Sequence, residues 1–167
     1  LRLLKSSFQS QKYTLEDNLA RYFPREIADT KARIAALESD IQTRDAHLVP
    51  ADSFVGIELD GVRYTERIAA GVAPLNLLPT VQDTKPVHVG SFRGFDVKVS
   101  LEQFGKHGLT LKGAAEHRIE LGADALGNIM RVENALASLG KKLDTNCVRL
   151  VDLESQVENA HAELEKP

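Results

Sequence analysis

The stretch VHVGSFRGFDVKVS, residues 87–100, sets Gly90 and Gly94 on either side of Arg93. Two close glycines and a cation can cradle phosphate when a lysine and a hydroxyl residue follow and a helix begins. Neither follows here. Asp96-Val97-Lys98-Val99 alternates polar and apolar side chains, which is the period of a strand. The stretch is expected to be a hairpin, with Arg93-Gly94 at the turn and Arg93 displayed at its tip. A second glycine-bearing stretch, Gly122 to Asn128, precedes a long helical pattern. It could present a helix N-terminus to an anion, but Asp124 or Asn128 acting as the helix cap is the preferred reading. His88, His107 and His117 lack the HxH or HxxxH spacing of a metal site. Cys147 is the single cysteine, which excludes an internal disulfide. It sits beside Leu143 and Leu150 and is expected to be a packed thiol, not a nucleophile. No catalytic, cofactor-binding or metal-ligating residue is assigned, and no cofactor is expected.

What chemistry remains is electrostatic. The net charge of −3 rules out a chain that is a polycation throughout. Between Lys85 and Arg118, however, six Lys/Arg face three acids, Asp96, Glu102 and Glu116. From Asp144 onward six acids face only Arg149 and Lys166. Arg93, Lys98, Lys106, Lys112 and Arg118 could touch the phosphates of a nucleic acid and are the candidate DNA contacts; the alternative is an ordinary solvated sheet face. Phe92, Phe95 and Phe104 interleave with them, although aromatics at strand positions usually pack in a core.

Two kinds of element must position these residues. Asp60-Gly61 and Arg93-Gly94 are hairpin signals. Phe54–Leu59, Val62–Tyr64, Val87–Phe92, Phe95–Leu101, Leu109–Lys112 and His117–Leu121 are read as strands. Thr65 is read as the cap of a short helix reaching about Leu78 and disturbed at Pro74. Thr14 is read as the cap of an earlier helix that Pro24 ends or kinks.

Heptads mark the long helices. Ile27, Ile34, Leu37, Ile41 and Leu48 follow the period in the first, with Thr30 and Arg44 polar. From Ile129 a second pattern runs without a slip through Val132, Leu136, Leu139, Leu143, Asn146, Leu150, Leu153, Val157, Ala160 and Leu164. The expected seam comprises Ile27, Ile34, Leu37, Ile41, Leu136, Leu139, Leu143, Asn146, Leu150, Leu153 and Val157, with Asn146 as a single buried polar residue setting register. Gly140 weakens this helix and is expected to bend it slightly.

Several segments together resemble a known family: LLKSSFQSQKYTLEDNLARYFPREI, GVRYTERIAAG, VGSFRGFDVKVS, LTLKGAAEHRIELGADALGNIMRVENAL and HAELEKP. Their order resembles the C-terminal region of the large helicase/DNA methylase proteins of bacterial conjugative elements and phages, with RGF, LKGA and LGxDxxGNIxR recurring as a set. In such proteins an adenine-specific methyltransferase and a helicase-like ATPase lie upstream. This chain has no Asp/Asn-Pro-Pro-Tyr/Phe motif, no Walker lysine and no DEAD-type box. The resemblance implies a piece of a DNA-modifying machine without its catalysis.

The expected fold is α+β: a small antiparallel β-sheet, hairpin plus meander, with long helices forming an antiparallel coiled coil. Residues 1–50 supply N-terminal helices with one coiled-coil arm. Residues 51–123 supply the sheet with one helix, and 124–167 the long helix that packs on the first arm. The expected function is that of a non-catalytic accessory module of a DNA helicase/methylase, contacting DNA or positioning the catalytic domains. The alternative is a coiled-coil protein–protein interaction or dimerisation module without DNA contact. Expected partners are DNA and other domains of the same parent chain, with a homodimer open. No membrane span is expected, since no apolar run approaches ~18 residues, and the expected location is the cytoplasm.

Overall fold

In a computed structural model, the described residues are 2–47, 54–77 and 84–166, with the side chains of 2–6, 76, 77 and 104 outside that description. The chain is α+β and divides into two compact units, Leu1–Ala35 with Lys142–Pro167, and Ala36–Lys141. No described helix is long and apolar enough to cross a membrane.

The first unit is helical. Helix α1, Arg2–Asp17, runs through a π-helical stretch, Asn18–Tyr22, into α2, Phe23–Ala46. This corrects two expectations. Thr14 lies inside α1, its hydroxyl bonded back to the Ser10 carbonyl at 3.0 Å, and caps nothing. Pro24 does not end the helix. A proline ring clashes with the carbonyl four residues earlier. The wider π turn just before it shifts the bonding, so that Phe23 N–H donates to the Asn18 carbonyl and the chain stays helical.

Helix α5, Leu139–Glu165, supplies the rest of this unit from Lys142 on. Phe23, Leu153 and Ala160 form a buried cluster, with Leu15, Leu19, Ile27 and Val157 packed against it. Full burial of a Phe or Leu side chain is worth ~1.5–3 kcal/mol, so this cluster is what holds otherwise polar helices. Arg149 donates to Glu26 at 3.1 Å, and that bond, followed by one with Tyr22, raises the guanidinium pKa above its ordinary value. Thr30 is fully buried, and its hydroxyl has no hydrogen-bond partner among the described residues.

The second unit is a six-stranded antiparallel sheet with helices on one face. Its strands are β1 Ile57–Leu59, β2 Val62–Tyr64, β3 Val87–Phe92, β4 Phe95–Leu101, β5 His107–Lys112 and β6 Glu116–Leu121, in the order β2-β1-β3-β4-β5-β6. Phe54–Gly56, expected as strand, precedes β1 without joining the sheet. Both hairpin turns have two consecutive residues at positive φ: Asp60 (51°) with Gly61 (79°), and Arg93 (49°) with Gly94 (84°). That conformation is what a tight two-residue turn needs to follow the strand twist.

One face of the sheet is apolar. Phe95, Val97 and Val99 of β4, Leu109 and Leu111 of β5, and Ile119 and Leu121 of β6 are buried there. Helix α3, Arg67–Leu77, carries Pro74 internally, and α4 is Ala125–Ala137. Ala70 and Ala73 of α3 and Ile129, Val132 and Leu136 of α4 complete the core. The expectation of one helix from Ile129 to Leu164 is corrected, because Ser138 leaves helical geometry (φ −89°, ψ 3°) and separates α4 from α5. The interruption falls two residues before Gly140, where a bend was expected.

Candidate interaction site: a helix socket and a charged sheet face

Two of the quoted stretches, RGF and LKGAAEH, meet the last turns of α2. Asp40 is 1% exposed, and both of its carboxylate oxygens have partners. Oδ1 accepts the Ala114 N–H at 2.7 Å, and Oδ2 accepts the Ala115 N–H at 3.0 Å. His117 Nε2 lies 2.7 Å from Oδ2, within hydrogen-bond distance. A carboxylate this deep needs such partners, and three contacts reach it. Gly113 makes the arrangement possible: a Cβ there would collide with Asp40 Oδ1 and stand 2.7 Å from Phe95 Cε1. Phe95 meets the His117 ring edge-on at 6.1 Å.

The Arg93 hairpin closes the same socket. Helices leave their last carbonyls short of partners; the Arg44 carbonyl accepts the His47 N–H at 3.1 Å, and Arg93 adds further donors. Its Nε donates to the His47 carbonyl and its Nη2 to the Arg44 carbonyl, both at 3.1 Å. Burial lowers the Arg93 pKa from its ordinary value, Arg44 lowers it further, and Asp45 and Glu133 oppose the shift. Gly94 leaves room for the His47 ring, whose Cε1 would lie 2.7 Å from a Cβ at 94. The expectation of an arginine displayed at a hairpin tip is therefore corrected: Arg93 is spent on the end of α2.

The third marker, LGxDxxGNIxR, is a strand-to-helix turn. Asn128 is buried, and its carboxamide accepts the Gly122 N–H at 2.8 Å and donates to the Gly122 carbonyl at 2.9 Å. Arg131 donates to the same Asn128 oxygen at 2.9 Å. Asp124 occupies the cap position of α4 without a side-chain cap bond.

The remaining basic candidates share the sheet face opposite the core. Lys98 pairs in register with Thr110, and Thr110 with Arg118. Lys112 is two residues beyond Thr110 and so points the same way. Lys106 reaches that face through Glu120, at 3.1 Å. Acids occupy the same face: Asp96 and Glu116 flank Lys112 in register, and Arg118 is ion-paired with Glu102. Across β4 to β6 these cations lie among Asp96, Glu102, Glu116 and Glu120, and two of them, Lys106 and Arg118, are ion-paired, so the local excess of positive charge seen along the chain is interrupted by acids. The side chain of Phe104 lies outside the described residues, whereas Phe92 and Phe95 are core.

The expected seam residues differ in burial. Leu37, Leu136, Leu139 and Leu153 are buried, and Ile27, Ile34, Ile41, Leu143, Leu150 and Val157 half-buried. Leu48 lies outside the described residues. Asn146 is half-buried and donates to the Lys142 carbonyl of its own helix at 2.8 Å, so the expected buried register residue is corrected. Cys147 is exposed, not packed. His88 lies 3.6 Å from Asp96, and among the described residues no three His, Cys, Asp or Glu gather as a metal site.

Sequence reasoning missed Asp40 and Glu102. The signal for Asp40 was its place between Leu37 and Ile41, on the apolar stripe of a helix. The chain matches no protein-family model, no curated protein and no solved structure.

Proposed function

We propose that this chain is a non-catalytic accessory module of a DNA helicase/methylase, whose principal task is to position neighbouring catalytic domains. The carrying observation is the socket. RGF and LKGAAEH, which bear the resemblance, grip Asp40 and the carbonyl end of α2 through Arg93, Ala114, Ala115 and His117. Residues that fix a long helix to a sheet serve a mount better than a reaction centre. The helices of the first unit extend the reading. The Phe23–Leu153–Ala160 cluster and the Glu26–Arg149 pair support an antiparallel coiled coil formed within one chain.

Sedimentation across a concentration series tests this. A monomer throughout is expected. A dimer that Leu143→Asp dissolves would instead favour the dimerisation module, a reading that exposed Val148 and Val151 on α5 keep in play. DNA contact is the secondary part of the proposal and rests on Lys98, Lys106, Lys112 and Arg118 sharing one face. An electrophoretic shift that weakens with salt is its expected signature. No shift at low salt would remove that part and leave the positioning role.

A further inference from the structure

The open sheet face carries a shallow concavity of about 800 Å³, lined by Ser100, Glu102, Lys106, Thr110, Arg118 and Glu120 among others. Its floor is polar. Ser100 and Thr110 are hydroxyl residues buried on an otherwise charged face. Beside them Gly108 has no side chain, and a Cβ there would collide with Glu102 Oε1. The Glu102 carboxylate therefore lies down on the sheet over Gly108, against the Arg118 guanidinium. It is held by a short segment, with the Glu102 N–H bonded to the Lys106 carbonyl at 2.7 Å. Lys106 in turn is neutralised by Glu120.

A carboxylate resting on a glycine floor, against a guanidinium and near two hydroxyls, occupies the position of an oxyanion ligand. Arginine forks bind carboxylate and phosphate with the same geometry. We infer that Arg118, with Ser100 and Thr110, forms a phosphate site, and that Glu102 is its built-in plug. The inference rests on the DNA-contact part of the function proposed above and adds its regulation: the face engages a phosphate only when Glu102 is displaced. Two of the cations on this face, Lys106 and Arg118, are already held by carboxylates, Glu120 and Glu102.

The experiment uses the whole chain, with a short DNA duplex and inorganic phosphate as separate probes. Wild type, Glu102→Gln, Glu102→Gln/Arg118→Gln and Glu58→Gln are compared by fluorescence anisotropy over a salt series. Phosphate is followed through the Arg118 and Thr110 resonances, and thermal melts confirm folding. Glu58 lies on the same face by register, through Ser91, Asp96 and Lys112, but three strands from β5. Its variant therefore controls for the loss of any one negative charge.

Glu102→Gln is expected to tighten duplex binding by about fivefold or more and to steepen the salt slope by ~0.9 for the one phosphate gained. Arg118→Gln in that background is expected to cancel the gain, while Glu58→Gln changes binding less than twofold. Equal effects from Glu58→Gln and Glu102→Gln would overturn the plug. So would salt-sensitive binding by wild type that Glu102→Gln leaves unchanged, and the DNA-contact reading would survive that result. Phosphate-induced shifts at Arg118 in Glu102→Gln without duplex binding would uphold the site and remove the DNA reading. Silence toward both probes would overturn the inference.

Discussion

At the scale of single residues, the chain spends its charged groups on structure. Asp40 satisfies two backbone N–H groups and one imidazole at once, and Gly113 exists to leave it room. Asp40→Ala would leave two part-buried N–H groups and the buried His117 imidazole without their acceptor, so a loss of ~3–5 kcal/mol in urea unfolding is expected, the range for breaking a buried pair. Gly113→Ala tests the space alone. It keeps the carboxylate but pushes a methyl into it and into Phe95, and a loss of ~1–3 kcal/mol is expected, as for an overpacked core. A Gly113→Ala variant as stable as wild type would show that the turn yields freely and that the socket is loose. Thr30 is the opposite case, a buried hydroxyl without a partner among the described residues. Thr30→Val keeps the shape and removes the unpaired group, so a gain of about 1 kcal/mol is expected in the same measurement.

Among the elements, local chemistry decided what could be read in advance. The turn between β3 and β4 follows from two residues able to hold positive φ, and β4 from the alternation after it, whereas the register shift between His88 and Gly90 in β3 left no mark in the sequence. The site was less legible, because it joins residues far apart in the chain, Asp40 with Ala114–His117 and Arg44 with Arg93. Only the fold brings them together. Pro24 misled because a widened turn absorbs the ring, and periodicity carries no mark of such a turn. The unbroken heptads across Ser138 misled for a related reason: spacing records which side chains are apolar, not whether the backbone between them stays helical. Arg93 shows how an element end depends on a distant residue. Arg93→Lys keeps the charge but loses the fork that reaches two carbonyls. Amide exchange in the last turn of α2 is therefore expected to rise about fivefold, equivalent to ~1 kcal/mol for a lost cap, while β4 and β5 keep their protection. Unchanged exchange in that turn would mean that α2 ends without help from the hairpin.

For the whole molecule, the two units draw their stability from different sources. The sheet unit has a wide apolar face and matching helices, and it holds most of the buried side chains. The helical unit depends on a narrow cluster centred on Phe23, Leu153 and Ala160. Isolated helices are marginal in water unless packing supports them, so the cluster decides whether this unit is ordered. Leu153→Asp removes a buried leucine and places a charge among apolar neighbours, with an expected cost of at least ~3 kcal/mol. Hydrogen exchange resolved by segment would read it. Helical amides in 7–35 and 142–165 are expected to lose protection, while Phe95–Leu101 and His107–Leu121 retain theirs. Simultaneous loss across the sheet strands would mean that the chain folds as one cooperative body, with the helices and the sheet gripping each other as a single stability unit. Selective loss would locate the weaker half in the helices, whose order would then rest on one apolar cluster.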